Sequence, residues 1–155
     1  MIGFLTEYQA KEVLKKNTLG RIGCTYGKET YIIPISYLYD GKSIIAHSKP
    51  GRKILMMREN PEVCFEVDQI QSFNKWKTVI AWGRYEEIQD ETEKWKALNA
   101  FSRRMMHLKV SQTAQTPETS PIRWHPEHDA KTVVYKIHVR KITGRYERED
   151  RDELY

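Results

Sequence analysis

Apolar and polar residues alternate in short runs along most of this 155-residue chain, the signature of half-buried strands. Arg21 to Tyr26 and Thr30 to Tyr39 carry that two-residue period, and Gly27-Lys28-Glu29 between them reads as a hairpin loop. Asp40-Gly41 is a strong two-residue turn signal that folds Lys42 to Ala46 back on the preceding strand. Pro34, in the middle of that strand, has no N–H to give to a ladder and so marks an edge or a bulge. Glu62 to Asp68 is a further strand, and Trp76 to Ile88 is a long one with Gly83 as its bulge or bend. In the last, Lys131 to Tyr146, Val133, Tyr135, Ile137 and Val139 alternate with Lys and His.

Three stretches change to a helical period. Thr6 and Gln9 form a capping box for a first helix of about three turns, stopped by Asn17 and Gly20. Gly51 to Glu59 is a short helix ended by Asn60-Pro61. Asp90 is the expected N-cap of a third, running to Met106, with Trp95, Leu98, Phe101 and Met105 as its packing stripe. Leu108 to Ala130, rich in Thr and Pro, reads as a long loop. About six strands with antiparallel turns and few intervening helices argue for one domain over residues 1–155. The expected class is mainly β with flanking helices (α+β), a small six-stranded antiparallel barrel. The alternating units of a doubly wound dinucleotide fold are absent, as is G-x-G-x-x-G.

Composition narrows the function classes. The apolar share of 39% against 30% charged is thin for an isolated globule, so subunit association is expected. The net charge of +5 favours anionic ligands, but the basic residues form no single stripe and acidic residues are interleaved with them, which argues against nucleic acid. Cys24 and Cys64 lie in strands without metal-ligand spacing and are expected to be small buried hydrophobes. His125, His128 and Asp129 fit no metal motif, so no metal is assigned. The first residues lack the regions of a secretory signal, and no apolar run approaches a membrane span; the expected location is cytoplasmic, without membrane association.

The candidate chemistry lies between Tyr31 and Lys53. A polar loop with His47, Ser48 and Lys49 leads through Gly51 into Arg52 and Lys53 at a helix start. Cations there oppose the helix dipole at about 0.3–1 kcal/mol each, so the pair is easier to understand with an anion present. Free N–H groups at a helix start, with Arg as a fork and Lys as a point charge, suit phosphate. On the strand from Trp76, alternation puts Trp76, Thr78, Ile80 and Trp82 on one face and Lys77, Val79 and Ala81 on the other. Trp82 is expected in the core, Trp76 as a ligand or capping group, and Thr78 as a hydroxyl donor to phosphate.

Taken in order, LGRIGCT, YIIPISYLYDGKSIIAHS, GRKILMMRENPEVCFEVD and WKTVIAWGRYEEI resemble the pyridoxamine 5′-phosphate oxidase-related flavoproteins, nearest their nitroimidazole-resistance branch of small FMN-binding split-barrel proteins. The resemblance implies a homodimer with FMN in a cleft between subunits. Pro34, Ile35, Ser36 and Tyr37 would lie along the isoalloxazine ring, and Ala46, His47 and Ser48 would pass the ribityl chain. Arg52 and Lys53 would hold the phosphate, with Trp76, Lys77 and Thr78 closing over it. Trp124 and Arg123 are the candidates from the second subunit. The implied activity is that of an oxidoreductase passing electrons from a reduced nicotinamide to a small aromatic or nitro-type acceptor. A non-catalytic flavin- or haem-binding module on the same barrel is the alternative. The arginine- and tryptophan-containing C-terminal signature of the true pyridoxamine oxidases is not recognisable, so the resemblance does not extend to their substrate.

Overall fold

The stretch expected as one strand, 30–39, is broken at Tyr37 in the computed structural model, which describes residues 1–110 and 131–149. In chain order the elements are β1 (Ile2–Phe4), α1 (Glu7–Lys16), β2 (Leu19–Tyr26), β3 (Glu29–Ser36), β4 (Leu38–Tyr39), β5 (Ser43–Ser48) and α2 (Arg52–Glu59). They continue as β6 (Glu62–Ser72), β7 (Lys75–Glu87), α3 (Glu91–Val110) and β8 (Val133–Glu147). The expectation of six strands becomes eight among the described residues for two reasons. Ile2–Phe4 adds a short strand along the end of β8, and Tyr37 divides β3 from β4.

The sheet is antiparallel throughout and ordered β3-β2-β6-β7-β8-β5-β4. Its two outermost strands, β3 and β4, are consecutive in the chain, so Tyr37 joins the ends of the sheet and closes it into a barrel. The closure is incomplete. β3 pairs only with β2, and β4 pairs with β5 only through Leu38↔Ile45 and Tyr39↔Ile44, which leaves a split between β3 and the far half of β5.

The inward row of each strand fills the barrel: Ile22 and Cys24 of β2, Val63, Phe65 and Val67 of β6, Val79 and Ala81 of β7, Tyr135 and Ile137 of β8. α1 packs into it with Ala10, Val13 and Leu14, and α2 with Ile54, Met56 and Met57. Ends follow their local chemistry. Thr6 and Gln9 make both bonds of the capping box, Asp90 accepts from the Glu93 N–H at 2.9 Å, and α2 stops at Asn60. Asn60 then ties α2 to β2 by donating to Thr25 O at 2.9 Å. The bulge expected at Gly83 is a register shift after Trp82; a Cβ at Gly83 would stand 2.4 Å from His138 O, a contact only glycine avoids.

Three packing expectations are corrected. Trp82 is not core. The barrel interior is taken by the small Val79 and Ala81, and period-2 alternation turns the bulkier Trp82 outward, where Lys141 lies 5.0 Å over its ring. Cys64 is half-buried on the same outer face, whereas Cys24 is buried. Trp95 is 52% exposed, because Ala97, Leu98 and Phe101 are the residues of α3 that meet the sheet. Tyr37 is fully buried, its ring edge-on to Phe65 at 4.7 Å and its hydroxyl donating to Leu14 O at 2.7 Å. Leu14 lies in the last turn of α1, whose carbonyls lack intrahelical donors. Tyr37→Phe therefore leaves that buried carbonyl unpaired; we expect about 1–2 kcal/mol of lost stability, with an unchanged m value in urea unfolding.

Candidate functional site

Pro34 stands opposite Arg21 and has no N–H, so this is a non-hydrogen-bonded pair of the β2–β3 ladder. Alternation then turns the backbone groups of Ile32, Pro34 and Ser36 to the unpaired side of β3. Those three side chains are exposed on the outer face, while Ile35 and Tyr37 point into the barrel. Tyr37 is already engaged on both counts, since its N–H donates to Thr18 O at 2.9 Å and its ring is sealed in the core. Its burial also holds the phenol well above its ordinary pKa, the Arg104 charge opposing only weakly.

Across the split, β5 carries Ala46, His47 and Ser48. Ala46 is buried in the barrel beside its register partner Tyr135. His47 faces outward under α3, its ring edge-on to Phe101 at 4.7 Å. Ser48 is half-buried and donates to Lys49 O at 3.0 Å. The Tyr135 hydroxyl is buried with no hydrogen-bond partner among the described residues.

α2 begins where the split opens. Gly51 supplies no side-chain cap and the first turn holds no acidic residue, so the leading N–H groups of the helix have neither partner usual for them. Arg52 reaches back to β3, paired with the Glu29 carboxylate and 5.2 Å over the Tyr31 ring. Lys53 is half-buried, and burial pushes its ammonium below the usual lysine value, with the Cys24 thiol opposing. Cys24 itself is shifted up, first by burial and then by Cys64, while Lys53 and Arg52 pull it down. From Tyr31 under Arg52 to Pro34 is about 10 Å along β3. One edge thus offers two cations and uncapped N–H groups at one end and unpaired backbone at the other.

Trp76, Lys77 and Thr78 do not join this group within one chain. The rung Gly23–Cys64–Trp82 lies next to Cys24↔Tyr31, whereas Trp76 is six residues before Trp82, about 20 Å along β7 and three strands across from β3. Trp76 Nε1 donates to the Glu147 carboxylate at 2.8 Å, and the Thr78 hydroxyl donates to Glu66 at 3.0 Å. Lys77 faces the opposite side of the strand and lines a groove beside α1. Trp124 and Arg123 lie outside the described residues, as does the loop expected to carry them. Sequence reasoning did not find Glu29 and Tyr31 as the groups that hold Arg52; the contact spans more than twenty residues and no local pattern announces it.

No group of three metal-ligating side chains is gathered among the described residues, and no described helix is long and apolar enough to cross a membrane. Residues 6–146 match the family model described as pyridoxamine 5′-phosphate oxidase. An uncharacterized protein of Rhizobium meliloti is 33% identical over 84 residues; the alignment covers 54% of this chain and 56% of that protein, so the chain spans little more than half the length of this curated relative. Among solved structures, a FAD-binding protein from Mesorhizobium loti is 27% identical with a TM-score of 0.74, covering 96% of this chain and 99% of that one. A candidate 5-nitroimidazole antibiotic resistance protein from Bacteroides thetaiotaomicron is 20% identical with a TM-score of 0.72, covering 94% and 87%, a likeness of fold. The local electrostatics make a direct prediction: followed by carbon-13 NMR at Cε, Lys53 titrates below the ordinary lysine value.

Proposed function

Since this chain belongs to the pyridoxamine 5′-phosphate oxidase family, we propose that it binds a flavin along the open edge of β3, with FMN as the form it takes. The observation that carries the reading is the approach of Arg52 and Lys53, at an uncapped helix start, to the unpaired edge that contains Pro34. Arg52, Lys53 and the first N–H groups of α2 would hold the terminal phosphate. The free main-chain groups of Pro34 and Ser36 would meet the polar edge of the ring, and Ser48, with the backbone about Ala46 and His47, would border the ribityl chain. The fit is supported by charge: the dianion would stabilise the charged form of a lysine that burial disfavours, and would replace Glu29 as the counter-ion of Arg52.

A bound flavin supplies the redox chemistry, transfer of a hydride or of single electrons. The chain's own part is to fix the phosphate, align the ring and limit water at the split. On this reading the protein is an oxidoreductase that accepts electrons from a reduced nicotinamide and passes them to a small aromatic or nitro-type acceptor. It works as a homodimer, because Trp76 and Thr78 can share a ligand with Arg52 and Lys53 only when two copies contribute them. The exposed Ile32 and half-buried Trp82 on the outer sheet face supply apolar surface for that association.

Four outcomes test the proposal. Purified protein retains flavin, identified as FMN against FAD by chromatography, and Arg52→Ala with Lys53→Ala loses it; a protein that takes up neither form overturns the reading. Lys53→Met abolishes retention while leaving the melting temperature of the flavin-free protein unchanged or higher, since it removes a poorly solvated ammonium. Affinity for FMN is level at neutral pH and falls as pH rises through the lowered Lys53 pKa, because the complex keeps a proton that the free protein gives up there. Glu29→Gln raises affinity severalfold by freeing Arg52.

A further inference from the structure

Lys77 was expected at the cofactor and lies elsewhere. It lines a groove of about 290 Å³ between α1 and the β6–β7 hairpin, on the other side of β7 from Thr78. The helix wall is the stripe Tyr8, Glu12 and Lys16, spaced four residues apart so that all three lie on one face of α1. The hairpin wall is Gln69 and Lys77, directly opposed in register and therefore on one face of the sheet. Val13 contributes apolar surface at the base.

The chemistry of these walls is specific enough to select a ligand class. Tyr8 is 73% exposed, an aromatic face left open on a helix whose other apolar residues are buried. Lys16 and Lys77 have no ion-pair partner among the described residues, whereas Arg21, Arg84 and Arg140 on the same sheet are paired with Glu or Asp. Gln9 also lines the groove; its side-chain oxygen is committed to the Thr6 N–H, so the amide NH₂ is the part still available to an acceptor. Two lysines against the single Glu12 leave one net positive charge. That balance favours a monoanion, and a dianion would meet Glu12 uncompensated. The volume, at the lower end of small-molecule sites, holds one ring.

We propose that the groove between α1 and the β6–β7 hairpin is a second ligand site, for a single-ring aromatic carboxylate that stacks on Tyr8 and places its acid group between Lys16 and Lys77. The site is separate from the open edge of β3 and does not depend on flavin binding there.

Nitrogen-15 amide NMR on the full chain, titrated with benzoate, benzamide and phenyl phosphate, tests it. Benzoate produces saturable shifts at Gln9, Glu12, Gln69 and Lys77. Benzamide, which lacks the charge, produces none at those positions, and phenyl phosphate binds more weakly than benzoate. Lys77→Gln and Lys16→Gln each weaken benzoate at least fivefold, and Tyr8→Leu weakens it with the charges intact; these side chains are on the surface, and unchanged circular dichroism confirms that each variant folds. Absence of saturable shifts, equal binding of benzamide, tighter binding of phenyl phosphate, or benzoate shifts confined to β3 and α2 would each overturn the proposal.

Discussion

The chain crosses from one half of the sheet to the other within three residues, Ser36 to Leu38, and the burial of Tyr37 makes that crossing rigid. Its ring fills the barrel against Phe65, its hydroxyl satisfies a carbonyl at the end of α1, and its N–H satisfies Thr18 O. The three contacts point in different directions, so the backbone on either side has little freedom. Closure therefore happens at one residue and not along a continuous ladder. β3 keeps an unpaired edge as a result, and α2 starts where that edge and β5 diverge. An exposed edge of this kind invites pairing with other chains unless something blunts it. Here Pro34 removes a donor from the open side, and Arg52 leans across from α2 onto Tyr31.

Charge is distributed so that the two basic residues opening α2 sit in different surroundings. Arg52 remains in solvent and shares Glu29, a pairing of little energetic weight between exposed groups. Lys53 gives up hydration to lie near Cys24, and no carboxylate is among the causes of its shift. A cation placed so is costly to the fold unless an anion arrives. The geometry separates what holds the barrel together from what awaits a ligand: the first group is apolar and inward, the second gathers at one end of the split.

Much of this was legible in the sequence. The capping box at Thr6, the cap at Asp90, the stop at Asn60 and the kink residue Gly83 are local chemistry, and each stands where expected. The class of the fold followed from the succession of short strands, and it is the class found. Failures have a common physical origin in phase and distance. Trp82, expected in the core, is turned out because a narrow barrel selects small side chains at Val79 and Ala81, and their phase decides for the whole strand. Trp95 failed in the same way. A three-residue strand such as Ile2–Phe4 is too short to show a period, and the break at Tyr37 is a tertiary event inside an uninterrupted strand pattern. At the candidate site the basic helix start could be read directly, whereas Glu29, Tyr31 and the orientation of Lys77 depend on which strands become neighbours.

The shift between Trp82 and Gly83 has a further consequence. Trp82 faces Lys141 and Gly83 faces Val139, so Arg140 is a supernumerary residue of β8, without a rung of its own. Removing Arg140 would put Val139 and Lys141 on adjacent rungs opposite Gly83 and Trp82; each side chain would keep its face, and the strand would lose the bend and added twist of the bulge. For this strand, spacing is as much a specification as composition: a further residue inserted with no bulge to absorb it would turn everything beyond it to the wrong face.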